Sequence, residues 1–187
     1  MRIISGNCKG KKIFEPKDKS TRPLKDLTKE SLFNIILHSN KFKIEIKNSN
    51  ILDLFSGVGS FGLECLSREA SYVAFIENYK EVLPILKKNI LTLNYLDKSK
   101  IIEKDIFRIL DFNILEKKFD IIFIDPPYKE KSLSELLKRI SLNNILKEGG
   151  IIIIHRHKNE KLNFQDFFDI LEEKNYGISK IIFGKFS

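Results

Sequence analysis

Cysteine is nearly absent from this chain: Cys8 and Cys65 are the two among 187 residues. They provide neither a disulfide framework nor the spacing of a zinc site. Long apolar runs are missing too, and none approaches the roughly 20 residues needed to cross a bilayer. The opening MRIISGNCKGKK has no apolar signal core and no small-residue cleavage site. Histidine is scarce, with three in all. His155 and His157 alternate along one run, but without a third ligand they do not make a metal site. They read as surface or edge residues. These absences together predict a cytoplasmic protein with no metal and no membrane span.

What is present suits one α/β domain with a small added arm, since 187 residues with 42% hydrophobic content can bury a sizeable core. The formal charge is +8, and it is unevenly placed. Residues 1–50 hold 12 basic and 5 acidic side chains, whereas residues 51–187 hold 21 and 20. The basic excess therefore belongs to the N-terminal part, as expected where one region meets phosphates. The alternative is a lysine-rich solvated surface.

Periodicity organises the rest. MRIIS and KKIFEP flank a turn around Asn7–Gly10 and read as a small hairpin. Leu24, Leu27, Leu32, Phe33, Ile36 and Leu37 recur at helical spacing after STRP. An Asn/Ser/Lys-rich stretch over residues 39–50 reads as a linker. Five apolar strands then alternate with helices: NILDLF, YVAFIE, KIIEKD, FDIIFID and GIIIIH. Helices fall near 60–67, 82–93 and 132–140, and two antiparallel strands surround a turn at Asn175–Gly177. Strands that are apolar on both faces imply a parallel sheet covered by helices. The last pair supplies an antiparallel edge. The expected fold is Rossmann-like: a mostly parallel, seven-stranded sheet with an edge hairpin and an N-terminal hairpin-and-helix extension. Phe164, Phe167 and Phe168 are read as core, and Cys65 as a packed helical residue.

In such sheets ligands bind beyond the carboxyl ends of the strands. The fourth strand ends there in Asp125-Pro126-Pro127-Tyr128, and the prolines cannot continue a ladder. The first strand ends in Asp53-Leu-Phe-Ser-Gly57-Val-Gly59-Ser-Phe-Gly62, whose glycines permit a tight turn and close approach to backbone N–H groups. Residues 57–62 match G-x-G-x-x-G, and Glu77 ends the second strand at the spacing of a ribose-binding acid. A dinucleotide-dependent oxidoreductase is therefore one reading. Asp53 opposes it, because a carboxylate before the loop repels a pyrophosphate and attracts a cationic amino group. A nucleoside bearing an amino acid, S-adenosylmethionine, satisfies both observations.

D-x-F-x-G-x-G followed by D-P-P-Y resembles the class I methyltransferases that act on exocyclic amines of nucleobases. RIISGNCKGKKI, TRPLKDLTKESLFNII and DLFSGVGSFGLECLSREAS are similar, over nearly the whole chain, to the RsmD family, which methylates guanine N2 in bacterial small-subunit (16S) rRNA. The resemblance implies a catalytic group of Asp125, Pro126 and Tyr128. The Asp125 carboxylate and Pro126 carbonyl would each accept one amine N–H, and Tyr128 would stack on the base. It implies S-adenosylmethionine contacts from Asp53, Phe55, Gly57, Gly59, Glu77, Asp105 and Ile106, although Asp105 also reads as a helix cap. Arg2, Lys9, Lys11, Lys12, Arg22 and Lys25 would meet RNA phosphate, with 16S rRNA or the assembling small subunit as partner. The expected division is a basic extension at 1–47 and a methyltransferase domain at 48–187, in a monomer. Two positions depart from the family pattern. Lys29 stands where arginine is usual, and His155 where an acid is often found. Alternatives are another nucleobase or glutamine side chain as acceptor, an NAD-dependent oxidoreductase, or a non-catalytic RNA-binding assembly factor.

Overall fold

Strands with little polar content pack inside, and the order of burial follows that content. β1 (Asn50–Leu54), β2 (Tyr72–Ile76) and β4 (Phe119–Ile124) are buried along nearly their whole length. β3 (Ser99–Ile102) lies outside them. β5 (Leu146–His157), β6 (Phe168–Tyr176) and β7 (Ser179–Phe186) complete one sheet in the order β3-β2-β1-β4-β5-β7-β6. The first five strands are parallel, whereas β7 runs antiparallel to both β5 and β6. β6 is the polar outer edge, as DILEEKN within it suggests. This is a computed structural model, and it describes residues 1–16, 26–127, 129–160, 162, 164 and 167–187.

Four α-helices cover the sheet among the described residues: α1 (Asp26–His38), α2 (Ser60–Ser67), α3 (Leu83–Thr92) and α4 (Leu133–Leu142). Pro84 occupies the first turn of α3, where its missing N–H costs no helical bond. The sheet separates two apolar clusters, one with Phe33, Phe61 and Leu86, the other with Leu136, Leu137 and Phe168. A ladder of rings joins α1 to the sheet. Phe33 stacks on Phe61 of α2 at 5.3 Å, and Phe61 stacks on Phe123 of β4 at 4.1 Å.

Three expectations change in detail. The N-terminal hairpin is reduced to a single antiparallel bridge, Arg2 with Lys12, around a loop that docks on the end of α2. Asn7 N–H donates to Ser67 O and Cys8 N–H to Ser67 Oγ. Gly6, at φ +78°, lies where a Cβ would come within 1.8 Å of that Ser67 carbonyl, so only glycine fits. The 39–50 stretch has no helix and strand only at its end, yet it is tied to the core. Phe42 and Ile46 are buried, and Phe42 stacks on Phe183 of β7 at 5.4 Å. His155 is neither on the surface nor at an edge. β7 inserts between β5 and β6, which makes β5 an interior strand, and His155 pairs in register with Ile181.

Candidate active site

The strand order reverses between β1 and β4, so their carboxyl ends lie side by side. Leu54 is in register with Ile124, and Asp125 N–H reaches Leu54 O at 3.4 Å. A cavity of about 1120 Å³ opens above this point. Asp53, Phe55, Gly57, Glu77, Asp125 and Pro126, all read from sequence as site residues, line it together. The turn between β6 and β7 (residues 176–179) and the start of α1 also line it.

The loop after β1 is shaped by its backbone. Phe55 has φ +58°, an uncommon conformation for a residue with a ring, while Gly57 and Gly59 have φ +53° and +85°. At Gly59 a Cβ would come within 2.6 Å of Leu86, so the loop is pressed against α3. At Gly57 a Cβ would meet nothing within 4 Å, so this backbone presents open space to the cavity. Glu77 ties the loop to β2: its carboxylate accepts from Gly57 N–H at 2.7 Å, Asn78 N–H at 2.9 Å and Tyr79 N–H at 2.8 Å.

Carboxylates dominate the cavity lining, which also includes His155 and Met1, whose terminal ammonium is paired with Glu15. Asp53, Glu77 and Asp125 line the cavity, and no described lysine or arginine does. Asp53 is 1% exposed and accepts from Gly62 N–H at 2.9 Å. Burial pushes its carboxyl well above the usual carboxylate range; the Gly62 amide opposes this, and repulsion from Asp125 and Glu77 adds to it. Burial raises Glu77 as well, against the pull of its amide donors.

Asp105 lies beyond this cavity, in a smaller neighbouring one of about 390 Å³ that shares Asn78 with it. Asp105 also caps the short turn that follows, accepting from Phe107 N–H at 3.0 Å. Ile106 is buried in the core and lines neither space. The Phe55 ring meets Phe107 at 5.8 Å, linking the two regions. Arg2, Lys9, Lys11 and Lys12 are exposed along the N-terminal loop, and Arg2 is 3.5 Å from Asp26. Tyr128, Arg22 and Lys25 fall outside the described residues.

Two residues beside the site carried no functional reading in the sequence. His155 Nδ1 lies 2.8 Å from Asp125 Oδ1. Arg156, fully buried, donates to Pro126 O at 3.3 Å, to Pro127 O at 2.9 Å and to Glu130 O at 2.9 Å, and it pairs with Glu160. Their signal was position. They extend an apolar strand that ends next to the Asp-Pro-Pro turn, where polar side chains must find partners. Lys29 is likewise buried, 3.7 Å from Glu64, with its ammonium donating to Arg2 O at 2.7 Å. Glu64 also accepts from Ile4 N–H and Ser5 N–H, so this buried pair fastens the N-terminal arm to α2.

A parallel sheet with an antiparallel final pair, and a glycine loop facing an acid-Pro-Pro turn across the switch point, defines the class I methyltransferase fold. The chain belongs to the family described as "Conserved hypothetical protein 95", the RsmD family, which matches residues 1–185. Ribosomal RNA small subunit methyltransferase D of Haemophilus influenzae is 33% identical over 179 residues, spanning 95% of this chain and 90% of its own. A solved Escherichia coli structure, provisionally named a methyltransferase, superimposes with a TM-score of 0.81 at 26% identity, over 98% of this chain and 96% of its own. Another solved structure with a provisional methyltransferase name, in complex with S-adenosylhomocysteine, shares the fold at TM-score 0.64 and 18% identity, over 85% of this chain and 49% of its own.

Proposed function

We propose that this chain transfers a methyl group from S-adenosylmethionine to the exocyclic N2 amine of a guanine in small-subunit rRNA. One observation carries the cofactor part. The cavity is lined by Asp53, Glu77 and Asp125 with no described lysine or arginine, which suits a ligand with an ammonium and a sulfonium and repels a pyrophosphate. S-adenosylmethionine supplies an electrophilic methyl on positively charged sulfur and leaves as a neutral thioether. Asp53 would hold the amino group, the Gly57 backbone would line the carboxypropyl part, and Glu77 would accept from the ribose through the one lone pair its three amide donors leave free. Asn78 joins the two cavities, which supports placing the adenine toward Asp105.

The acceptor would enter between Pro126 and the turn of residues 176–179. A guanine amine is a weak nucleophile because its lone pair is delocalised into the ring. Hydrogen bonds from its two N–H groups to Asp125 and the Pro126 carbonyl draw the nitrogen toward tetrahedral geometry, so that the lone pair faces the methyl carbon. The nitrogen that gains the methyl carries one proton too many, and this passes to Asp125 and then to water. Tyr128 is the proposed stacking partner for the extruded base. Residues 1–47 would form the RNA-facing arm and 48–187 the catalytic domain.

The rival dinucleotide reading gives the opposite result in one experiment. S-adenosylhomocysteine at a hundred times its Kd should stabilise the protein by about 2.7 kcal/mol, a rise of roughly 5–10 °C in Tm, and NAD should not. Gly57→Val should erase that rise, since its side chain would occupy the open space beside the loop. Stabilisation by NAD alone would replace this reading with an oxidoreductase. Loss of one N2-methylguanine from the 16S rRNA of a deletion strain would test the acceptor, and an unchanged methylation map would exclude it.

A further inference from the structure

Asp125 has two carboxylate oxygens, and the fold treats them differently. Oδ1 is 2.8 Å from His155 Nδ1, whereas no described residue donates to Oδ2. The histidine is 6% exposed and projects from β5, the strand next to the one that ends in Asp125. Its other ring nitrogen, Nε2, is buried and has no hydrogen-bond partner among the described residues. A proton on Nδ1 makes the short bond to the carboxylate and leaves only a lone pair on Nε2. The opposite tautomer would bury an unsatisfied N–H and set a lone pair against a carboxylate oxygen. The geometry therefore selects Nδ1–H.

We propose that His155 is a positioning residue for methyl transfer: its Nδ1–H pins Asp125 Oδ1, so that Oδ2 alone faces the acceptor amine. The proposal rests on the methyl-transfer reading above. An unpinned Asp side chain rotates about χ1 and χ2, and each rotation moves its oxygens off the line that aligns the amine lone pair. Pinning one oxygen removes that freedom before the substrate arrives. The bond also survives the proton transfer. When the amine proton arrives on Oδ2, Oδ1 becomes the carbonyl oxygen of the acid and still accepts from Nδ1–H. His155 neither gains nor loses a proton, and Oδ2 passes its proton on to water. The neighbouring Arg156 is occupied with the Pro126, Pro127 and Glu130 carbonyls, so the same strand anchors the Pro-Pro turn and the carboxylate separately.

Asparagine and glutamine separate positioning from packing. The amide nitrogen of asparagine falls near the place of Nδ1, and that of glutamine near the place of Nε2. His155→Asn should keep kcat within a few fold of wild type. His155→Gln and His155→Leu should lose about 10²-fold in kcat, with unchanged KM for RNA and an unchanged S-adenosylhomocysteine thermal shift. Equal rates for Asn and Gln, or near-normal kcat for Leu, would overturn the proposal, and Tm values for all three show whether each variant is folded. A second readout needs no turnover. In ¹⁵N NMR of the wild-type protein, His155 should be the neutral Nδ1–H tautomer, and Asp125→Ala should shift that resonance. An Nε2–H tautomer, or no shift, would overturn the pair. Wild-type protein that methylates no RNA would sink the underlying reading, while the tautomer measurement would still decide the pair.

Discussion

Glu77, at the end of β2, holds Gly57 in the loop after β1 through a 2.7 Å bond from the Gly57 amide to its carboxylate. Both of its oxygens are occupied by backbone N–H groups, with Asn78 and Tyr79 on the other one. An ionised carboxylate accepts on both sides, and an amide does not. Glu77→Gln would set its NH₂ against a backbone N–H whichever way it turns. The expected outcome is a loss of about 1–3 kcal/mol in stability by urea denaturation, together with weaker S-adenosylhomocysteine binding by calorimetry. Unchanged values of both would mean that the acid does not organise the loop.

Asp53 makes stability depend on pH in the direction opposite to a salt-bridged carboxylate. Its folded-state affinity for a proton is raised, chiefly by burial. The folded protein thus binds this proton more tightly than the unfolded chain. The resulting stabilisation is fully present below the ordinary carboxylate range and is lost as pH rises through the raised value. Asp53→Asn keeps an oxygen for the Gly62 amide and removes that loss. Without cofactor, its Tm should exceed wild type at about pH 8, with the gap closing toward about pH 4. The same variant should lose its response to S-adenosylhomocysteine, whose ammonium would have no counter-charge. A gap that does not change with pH would remove Asp53 from the account.

The sheet and its ligand-binding end were legible because they rest on short-range signals: apolar runs, prolines that stop a strand and glycines that turn one. Asp53, Gly57, Glu77 and Asp125 converge because parallel strands place their carboxyl ends together. His155 was misread because its environment depends on strand order. A histidine at the end of an apolar run is exposed on an edge strand and enclosed on an interior one, and only the insertion of β7 beside β5 decides between them. Lys29 raises the same difficulty. Its partner Glu64 lies on another helix, and burial lowers the lysine's proton affinity while the carboxylate restores part of it. The cap made by Asp105 was readable, since an acid two residues before an N–H it can reach is a local pattern.

The N-terminal loop offers the cleanest test of where RNA lies. Lys9, Lys11 and Lys12 are exposed between the buried anchors Ile3 and Ile13, and the loop is held by backbone bonds such as Ile3 N–H to Lys11 O at 2.9 Å. None of the three ammonium groups forms an ion pair with a described carboxylate, so replacing them disturbs neither the fold nor the cavity. If they neutralise phosphates, a triple Lys→Gln variant should bind a 16S rRNA fragment more weakly. Its log Kd against log salt should also flatten by about 0.7 for each single-strand phosphate no longer neutralised, or about 2 for all three. The S-adenosylhomocysteine thermal shift should stay at the wild-type value. A solvated lysine surface predicts the opposite, the same affinity and the same slope. Superimposable salt titrations for wild type and variant would move the RNA-binding face away from this loop.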